Sequence, residues 1–199
     1  FKTLTDLYKK LVQDKYLRAT LPLLISVSQN NIEIISNESC EIIEILNQLN
    51  DEGENIIRLE NCEKDFLNKI HYQINNGVYK CGFARNQESY VKASHELFKS
   101  LNEINLYMND SEGPWIFGNN LTYADIYLFP TMIRWELIYS KLFKCTEKDI
   151  IEYKNILDWR RKFYKLQGID KTCFEKDWLK DYYQALFPLN PNQIVPLQP

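Results

Sequence analysis

Two stretches concentrate the residues that could do chemistry. Asn76–Ala84 reads NGVYKCGFA, and Leu121–Tyr139 reads LTYADIYLFPTMIRWELIY. Among their polar groups two phenols, Tyr79 and Tyr139, and one guanidinium, Arg134, stand out as candidates for one cleft. The first stretch is a glycine-flanked turn on composition, from which Tyr79 could present its hydroxyl to a cleft or pack in a core. Arg134 sits among Phe129, Met132, Ile133 and Trp135. A cation in so apolar a setting must be paired or face a cavity. Glu136 is near in sequence but two positions away points elsewhere on a helix.

Three further segments carry local signals. Asn37-Glu38-Ser39 precedes an apolar-periodic run, and a helix N-terminus bearing a serine hydroxyl is either a plain capping segment or a carboxylate site. Leu21-Pro22 reads as a strand entry, or as a cis-proline turn whose preceding residue offers backbone groups to an extended peptide ligand. Thr122 and Asp125 form a capping box, with Leu121 and Ile126 placed as a hydrophobic staple. That box is a structural device.

Five cysteines, Cys40, Cys62, Cys81, Cys145 and Cys173, have no C-x-x-C spacing. With two histidines, His71 and His95, they build no zinc pattern, so no metal is expected. Scattered and odd in number, they fit a reduced, cytoplasmic setting. A net charge of −3 without a Lys/Arg cluster argues against nucleic acid as partner. No segment reaches the roughly 20 uninterrupted apolar residues of a membrane span. FKTLTDLYKK has neither the charged leader nor the apolar core of a signal peptide, and it does not begin with Met, so Phe1 need not be the first residue of the gene product.

The elements that must position these groups follow from periodicity. Leu4, Leu7, Tyr8 and Leu11 predict a helix over 3–12. Leu21–Val27 and Ile32–Ile35 predict two strands joined at Ser28–Asn31 as an antiparallel hairpin. A helix follows, with Ile42, Ile43, Ile45, Leu46 and Leu49 on its apolar face. So small a unit buries too little to stand alone. From about Glu63 strand signals vanish, and Tyr90, Ala93, Leu97, Leu101, Ile104 and Met108 mark a helix of five turns. A loop at Asn109–Asn120 and helical patterns over Tyr153–Tyr164 and Glu175–Leu186 come next. The proline-rich tail PLNPNQIVPLQP predicts extended chain. Six glycines against thirteen tyrosines and ten phenylalanines favour aromatic-packed helices over an all-β fold. The expected architecture is mainly α: a partial thioredoxin-like α/β unit over 1–50, then an all-helical domain over 51–199.

Together these motifs resemble the glutathione transferases, most closely the glutathionyl-hydroquinone reductases of the xi class. TLPLL at Thr20–Leu24 is similar to the family's Thr-Val-Pro-Val-Leu, and SNESCEII at Ser36–Ile43 to its Asn-Glu-Ser-Ser-Glu-Ile-Ile. NGVYKCGFA is nearly the family signature. The capped helix matches, with Trp135 and Glu136 in place of the usual Phe and Asp. FKC at Phe143–Cys145, the paired Tyr182-Tyr183 and NPNQIVP at Asn190–Pro196 complete the set.

The resemblance implies glutathione as cosubstrate, held by Leu21 and cis-Pro22 at its cysteinyl unit and by Glu38 and Ser39 at its γ-glutamyl end. It implies an aromatic or quinone-type acceptor lined by Tyr79, Tyr139 and one of Tyr182 and Tyr183, with Arg134 steadying that wall, and a homodimer. The family nucleophile belongs to a Cys-Pro-Trp motif, and no cysteine of this sequence is followed by Pro-Trp. The first strand–helix–strand of a thioredoxin-like unit is also missing from the pattern. The 199 residues thus read as part of a cysteine-dependent transferase. The alternatives are a non-catalytic transferase-like scaffold or interaction module and, less favoured, a serine- or tyrosine-type transferase.

Overall fold

The computed structural model describes residues 2–11, 19–29, 31–49 and 61–197. The chain divides into two compact units, Phe1–Arg58 and Leu59–Pro199. The expected domain boundary at 50/51, Val12 of the first expected helix and Asn30 of the hairpin turn lie outside the described residues.

The first unit contains α1 (Lys2–Leu11), β1 (Leu24–Val27), β2 (Ile32–Ser36) and α2 (Ser39–Gln48). The strands pair antiparallel, as their short separation requires, with Val27 opposite Ile32 and an irregularity between Leu24 and Ile25. The first strand is shorter than the β-prone run: Leu21 and Pro22 form a bend before it, and the Leu21–Pro22 peptide is cis. Of the five apolar residues expected on one face of α2 only Ile42 is buried, while Leu46 and Leu49 are exposed. Val27, Ile32 and Ile35 are exposed on the hairpin as well. A two-stranded hairpin with one covering helix leaves much of its apolar surface in water.

The second unit is helical throughout its regular structure: α3 (Lys64–Lys69), a π-helical turn over Ile70–Asn75, α4 (Gly77–Gly82), α5 (Gln87–Asp110), α6 (Tyr123–Ile133), a second π-helical turn over Trp135–Tyr139, α7 (Lys154–Tyr164) and α8 (Glu175–Ala185), with short 3₁₀ turns before and after α7. The expected break at Asn76-Gly77 is instead helical backbone, with Asn76 at φ −83° and ψ −23°. Tertiary packing overrides the poor helix propensity of this Asn-Gly pair. The Asn75 amide donates to the Tyr127 carbonyl at 2.8 Å, and the Thr131 hydroxyl donates to Asn75 Oδ1 at 2.6 Å. These bonds hold the π-helical turn against α6.

The periodic run Tyr90–Met108 is α5, whose N-cap Asn86 accepts from the Ser89 amide at 2.8 Å. Its buried stripe is Ala93, Leu97, Phe98, Leu101 and Ile104. Helix α6 is buried on nearly every side, as a central helix must be. Phe129 stacks on Phe163 of α7 at 4.1 Å between ring centroids. The tail is not simply extended. It turns at Leu186–Gln193, where the Asn190 amide donates to Tyr183 O at 2.6 Å and to Ile194 O at 3.0 Å.

The capping box at α6 does more than cap. Asp125 is wholly buried, and its carboxylate accepts four bonds. Oδ2 takes the Thr122 amide and the Thr122 hydroxyl, both at 2.9 Å. Oδ1 takes the Ile116 amide at 3.0 Å and the Trp159 indole N–H at 2.8 Å. One carboxylate therefore ties the loop before α6, the start of α6 and the middle of α7 together. Such saturation leaves neither oxygen of this buried side chain without a partner.

Candidate functional site

The tyrosines that the sequence singles out are 43 to 103 positions apart from Tyr182, yet three of them meet there. Tyr182 Oη lies 3.0 Å from Tyr79 Oη and 3.1 Å from Tyr139 Oη. Each arrives on a different element: Tyr79 on α4, Tyr139 at the end of the second π-helical turn, Tyr182 on α8. A π-helical turn inserts an extra residue per turn and re-aims the side chains at its end, and here it delivers Tyr139. Tyr183, the neighbour of Tyr182, is in a different place. It is buried, and its hydroxyl donates to Leu137 O at 3.2 Å. Helical phase separates the two, because adjacent residues face about 100° apart.

Phe143 is the floor of the cluster. Wholly buried, it makes edge contacts with Tyr79 at 5.1 Å, Tyr139 at 5.3 Å and Tyr182 at 6.0 Å. It seats against Gly82: a β-carbon there would fall 2.3 Å from a Phe143 ring carbon. Glycine at 82 is a requirement of close approach. The sequence signal for this was the FKC motif, whose phenylalanine has a packing role that spacing alone did not expose.

Burial pushes the Tyr79 phenol up to about 12, with the neighbouring Tyr182 reinforcing the shift. Burial likewise drives Tyr139 upward, and Tyr182 and Tyr79 add to it. Tyr79 and Tyr139 are consequently neutral hydroxyls at ordinary pH. Three hydroxyls carry three protons, and the two bonds among them use two. Either hydroxyl of each pair can be the donor; with Tyr139 donating to Tyr182 and Tyr182 to Tyr79, the third proton is left on Tyr79, the outward end, 37% exposed against 3% for Tyr139. A neutral ligand oxygen is the natural acceptor for it.

Arg134 caps the C-terminus of α6. No carboxylate pairs with it among the described residues, so of the two alternatives, an ion pair is not the one made. Its guanidinium lies 4.3 Å from the centroid of the Trp178 ring, and Nη1 donates to Pro130 O at 2.6 Å. Its Nε is buried without an acceptor among the described residues. Glu136 pairs elsewhere, bidentate with Arg160 at 2.6 Å for each contact. Trp178 was not singled out in the sequence, although it precedes Tyr182 by four positions and so shares its face of α8.

In the first unit, Leu21 and Pro22 are exposed at their bend, and Glu38 and Ser39 are exposed at the start of α2. The Asn37 amide donates to Thr20 Oγ1 at 3.0 Å, and the Tyr8 hydroxyl donates to Thr20 O at 2.7 Å. These bonds bring the two expected glutathione-holding segments to one end of the unit. The Glu38 amide donates to the Ser36 hydroxyl at 3.1 Å, which in turn donates to Glu41. The Glu38 side chain makes no cap, and it stays available to solvent. Among the described residues no cluster of three or more His, Cys, Asp or Glu side chains could hold a metal, and no helix is long and apolar enough to cross a membrane.

Residues 65–185 match the family model described as "Glutathione S-transferase, C-terminal domain". The chain belongs to the glutathione S-transferase superfamily. Within it, relatives named glutathionyl-hydroquinone reductase and structures of the xi class match over most of this chain. The chain is 35% identical over 188 residues to the glutathionyl-hydroquinone reductase PcpF of Sphingobium chlorophenolicum, covering 92% of this chain and 59% of that one. It is 34% identical over 188 residues to the glutathionyl-hydroquinone reductase YqjG of Escherichia coli, with 92% and 56% covered. The structure of glutathione transferase Xi 1 from Trametes versicolor superposes with a TM-score of 0.87 at 31% identity, over 98% of this chain and 70% of that one. This transferase chain thus spans somewhat under 60% of the length of the two curated reductases. Its fold is accordingly a transferase C-terminal helical domain with a small thioredoxin-like part before it.

Proposed function

We propose that this chain is part of a glutathione-dependent reductase of glutathionyl-hydroquinones. The single observation that carries the reading is the hydroxyl chain Tyr139–Tyr182–Tyr79, with one proton left to donate. A hydroquinone or quinone oxygen suits that proton, and the surrounding rings suit an aromatic acceptor. Tyr183, by its inward hydroxyl, has no part in contacting the acceptor. Arg134, stacked on Trp178, steadies the face of α8 that carries Tyr182.

Leu21 and Pro22 would hold the cysteinyl unit of glutathione, and Glu38 and Ser39 its γ-glutamyl end. The exposure of Leu21 and Pro22 at their bend, and of Glu38 and Ser39 at the positive end of α2, supports this. The nucleophile is a thiolate on a Cys-Pro-Trp segment outside these 199 residues. It attacks the sulfur of the glutathionyl-hydroquinone, the carbon–sulfur bond breaks, and the ring carbon takes a proton. The resulting mixed disulfide is resolved by a second glutathione thiolate, which leaves glutathione disulfide and the free enzyme thiolate. The enzyme works as a homodimer in the cytoplasm.

The test uses the enzyme that includes the upstream segment. Tyr182→Phe removes the hub of the hydroxyl chain. Its KM for a glutathionyl-hydroquinone should rise about tenfold, the equivalent of about one hydrogen bond, while its KM for glutathione is unchanged. An unchanged acceptor KM would remove the cluster from the acceptor site.

A further inference from the structure

Two thiols of the helical unit lie beside the tyrosine cluster without taking part in it. Cys81 and Cys145 are each 1% exposed and are free cysteines. Their neighbourhoods interlock: Gly82 is the seat of the Phe143 ring, and the Cys145 thiol points back to Phe143 O at 3.8 Å. Cys81 shares one cavity wall with Lys144 and Thr146, the two neighbours of Cys145, and each thiol is the other's main electrostatic partner. That surface cavity, of about 480 Å³, also includes Arg85 and Lys141. A dithiol beneath an electropositive opening is the setting in which one sulfur reacts and the second resolves it.

We propose that Cys81 and Cys145 form an intramolecular disulfide when the protein meets hydrogen peroxide, with Cys81 attacking and Cys145 resolving. Cys81 lines the cavity, while Cys145 does not and turns its thiol to Phe143 O. The interaction with Cys145 lowers the Cys81 thiol below its ordinary value and raises that of Cys145, so the first thiolate forms on Cys81. That thiolate attacks one peroxide oxygen. The O–O bond breaks, giving a sulfenic acid at Cys81, and the departing hydroxide takes a proton to become water. The Cys145 sulfur then attacks the sulfenic sulfur, forming the S–S bond and releasing a second water. Hydrogen peroxide is reduced and the two thiols are oxidised by two electrons.

The bond would join the end of α4 to the segment after the second π-helical turn. The Cys145 amide already donates to Tyr139 O at 3.1 Å, and Tyr79 lies two residues before Cys81. This inference does not rest on the proposed reductase activity.

The experiment treats the reduced protein with hydrogen peroxide, alkylates the remaining thiols under denaturing conditions and digests with trypsin. Cleavage after Lys80, Arg85, Lys144 and Lys148 releases one short peptide for each cysteine. The expected product is a disulfide joining the Cys81–Arg85 peptide to the Cys145–Lys148 peptide, reversed by dithiothreitol, with two of the five thiols lost. Cys145→Ala should leave a Cys81 sulfenic acid that dimedone traps, and Cys81→Ala should leave Cys145 unmodified. The wild-type digest decides the matter even if a variant misfolds. All five cysteines alkylated after treatment, a cross-link between any other pair, or dimedone on Cys145 would each overturn the proposal.

Discussion

Replacing Asp125 with alanine isolates the strongest polar restraint in the helical unit. The wild-type carboxylate accepts from the Ile116 amide, the Thr122 amide, the Thr122 hydroxyl and the Trp159 indole, all at 2.9–3.0 Å or closer. Alanine leaves the three N–H donors buried, and the hydroxyl can turn to another acceptor. Each stranded donor costs about 1–3 kcal/mol, so Asp125→Ala should destabilise by about 3–6 kcal/mol after partial relaxation. That is a large part of the roughly 5–15 kcal/mol that holds a domain folded. Thr122→Ala removes only the cap and should cost about 1 kcal/mol. All four tryptophans, Trp115, Trp135, Trp159 and Trp178, belong to Leu59–Pro199, so their fluorescence reports on that unit alone. With a urea slope of about 2 kcal/mol per molar, the midpoint should fall by about 1.5–3 M for Asp125→Ala and about 0.5 M for Thr122→Ala. Equal shifts for the two variants would refute the idea that one carboxylate ties three segments together.

Two further outcomes follow from the tyrosine cluster. Gly82→Ala places a methyl group 2.3 Å from the Phe143 ring, and overpacking of this kind costs about 1–3 kcal/mol; a thermal melt at the wild-type midpoint would show that the ring has room to move. Alkaline stability should also fall. The Tyr79 phenol is raised from 10.0 to about 12 in the folded chain. The folded state therefore holds a proton that the unfolded state has lost, and the contribution is complete below about pH 10 and disappears as pH rises towards about 12. Circular dichroism against pH should show the helices melting within that window, together with the rise of tyrosinate absorbance. A tyrosinate titration with a single midpoint at about pH 10 for every tyrosine, with intact helices, would contradict the burial argument.

Much of the helical unit was legible in the residues. The run Tyr90–Met108 announces α5 because its stripe repeats at the helical period over many turns, and Thr122–Asp125 announces the start of α6 through local chemistry. The helix at Gly77–Gly82 was not legible, because an Asn-Gly pair reads as a turn until the close fit of Gly82 under Phe143 is known. The hairpin was readable, but the exposure of Val27, Ile32 and Ile35 depends on what covers them, and periodicity does not report that. At the site, the sequence named four tyrosines and one arginine. It could not say that Tyr182 and not Tyr183 joins Tyr79 and Tyr139, because that depends on the rotation of α8. Nor could it pair Arg134 with Trp178, which lies on another helix and offers a ring in place of a charged partner.

The central claim is that these residues bind the two halves of the reaction but take their nucleophile from elsewhere. It is tested by measuring glutathione-dependent reduction of a glutathionyl-hydroquinone by three proteins. These are the 199-residue chain, the same chain extended at its N-terminus by a Cys-Pro-Trp-bearing segment, and that extension with the cysteine changed to serine. The account predicts negligible turnover by the first, turnover by the second and its loss in the third. Substantial turnover by the 199-residue chain, abolished by Cys40→Ser, would contradict the account and make the half-buried Cys40 of α2 the nucleophile.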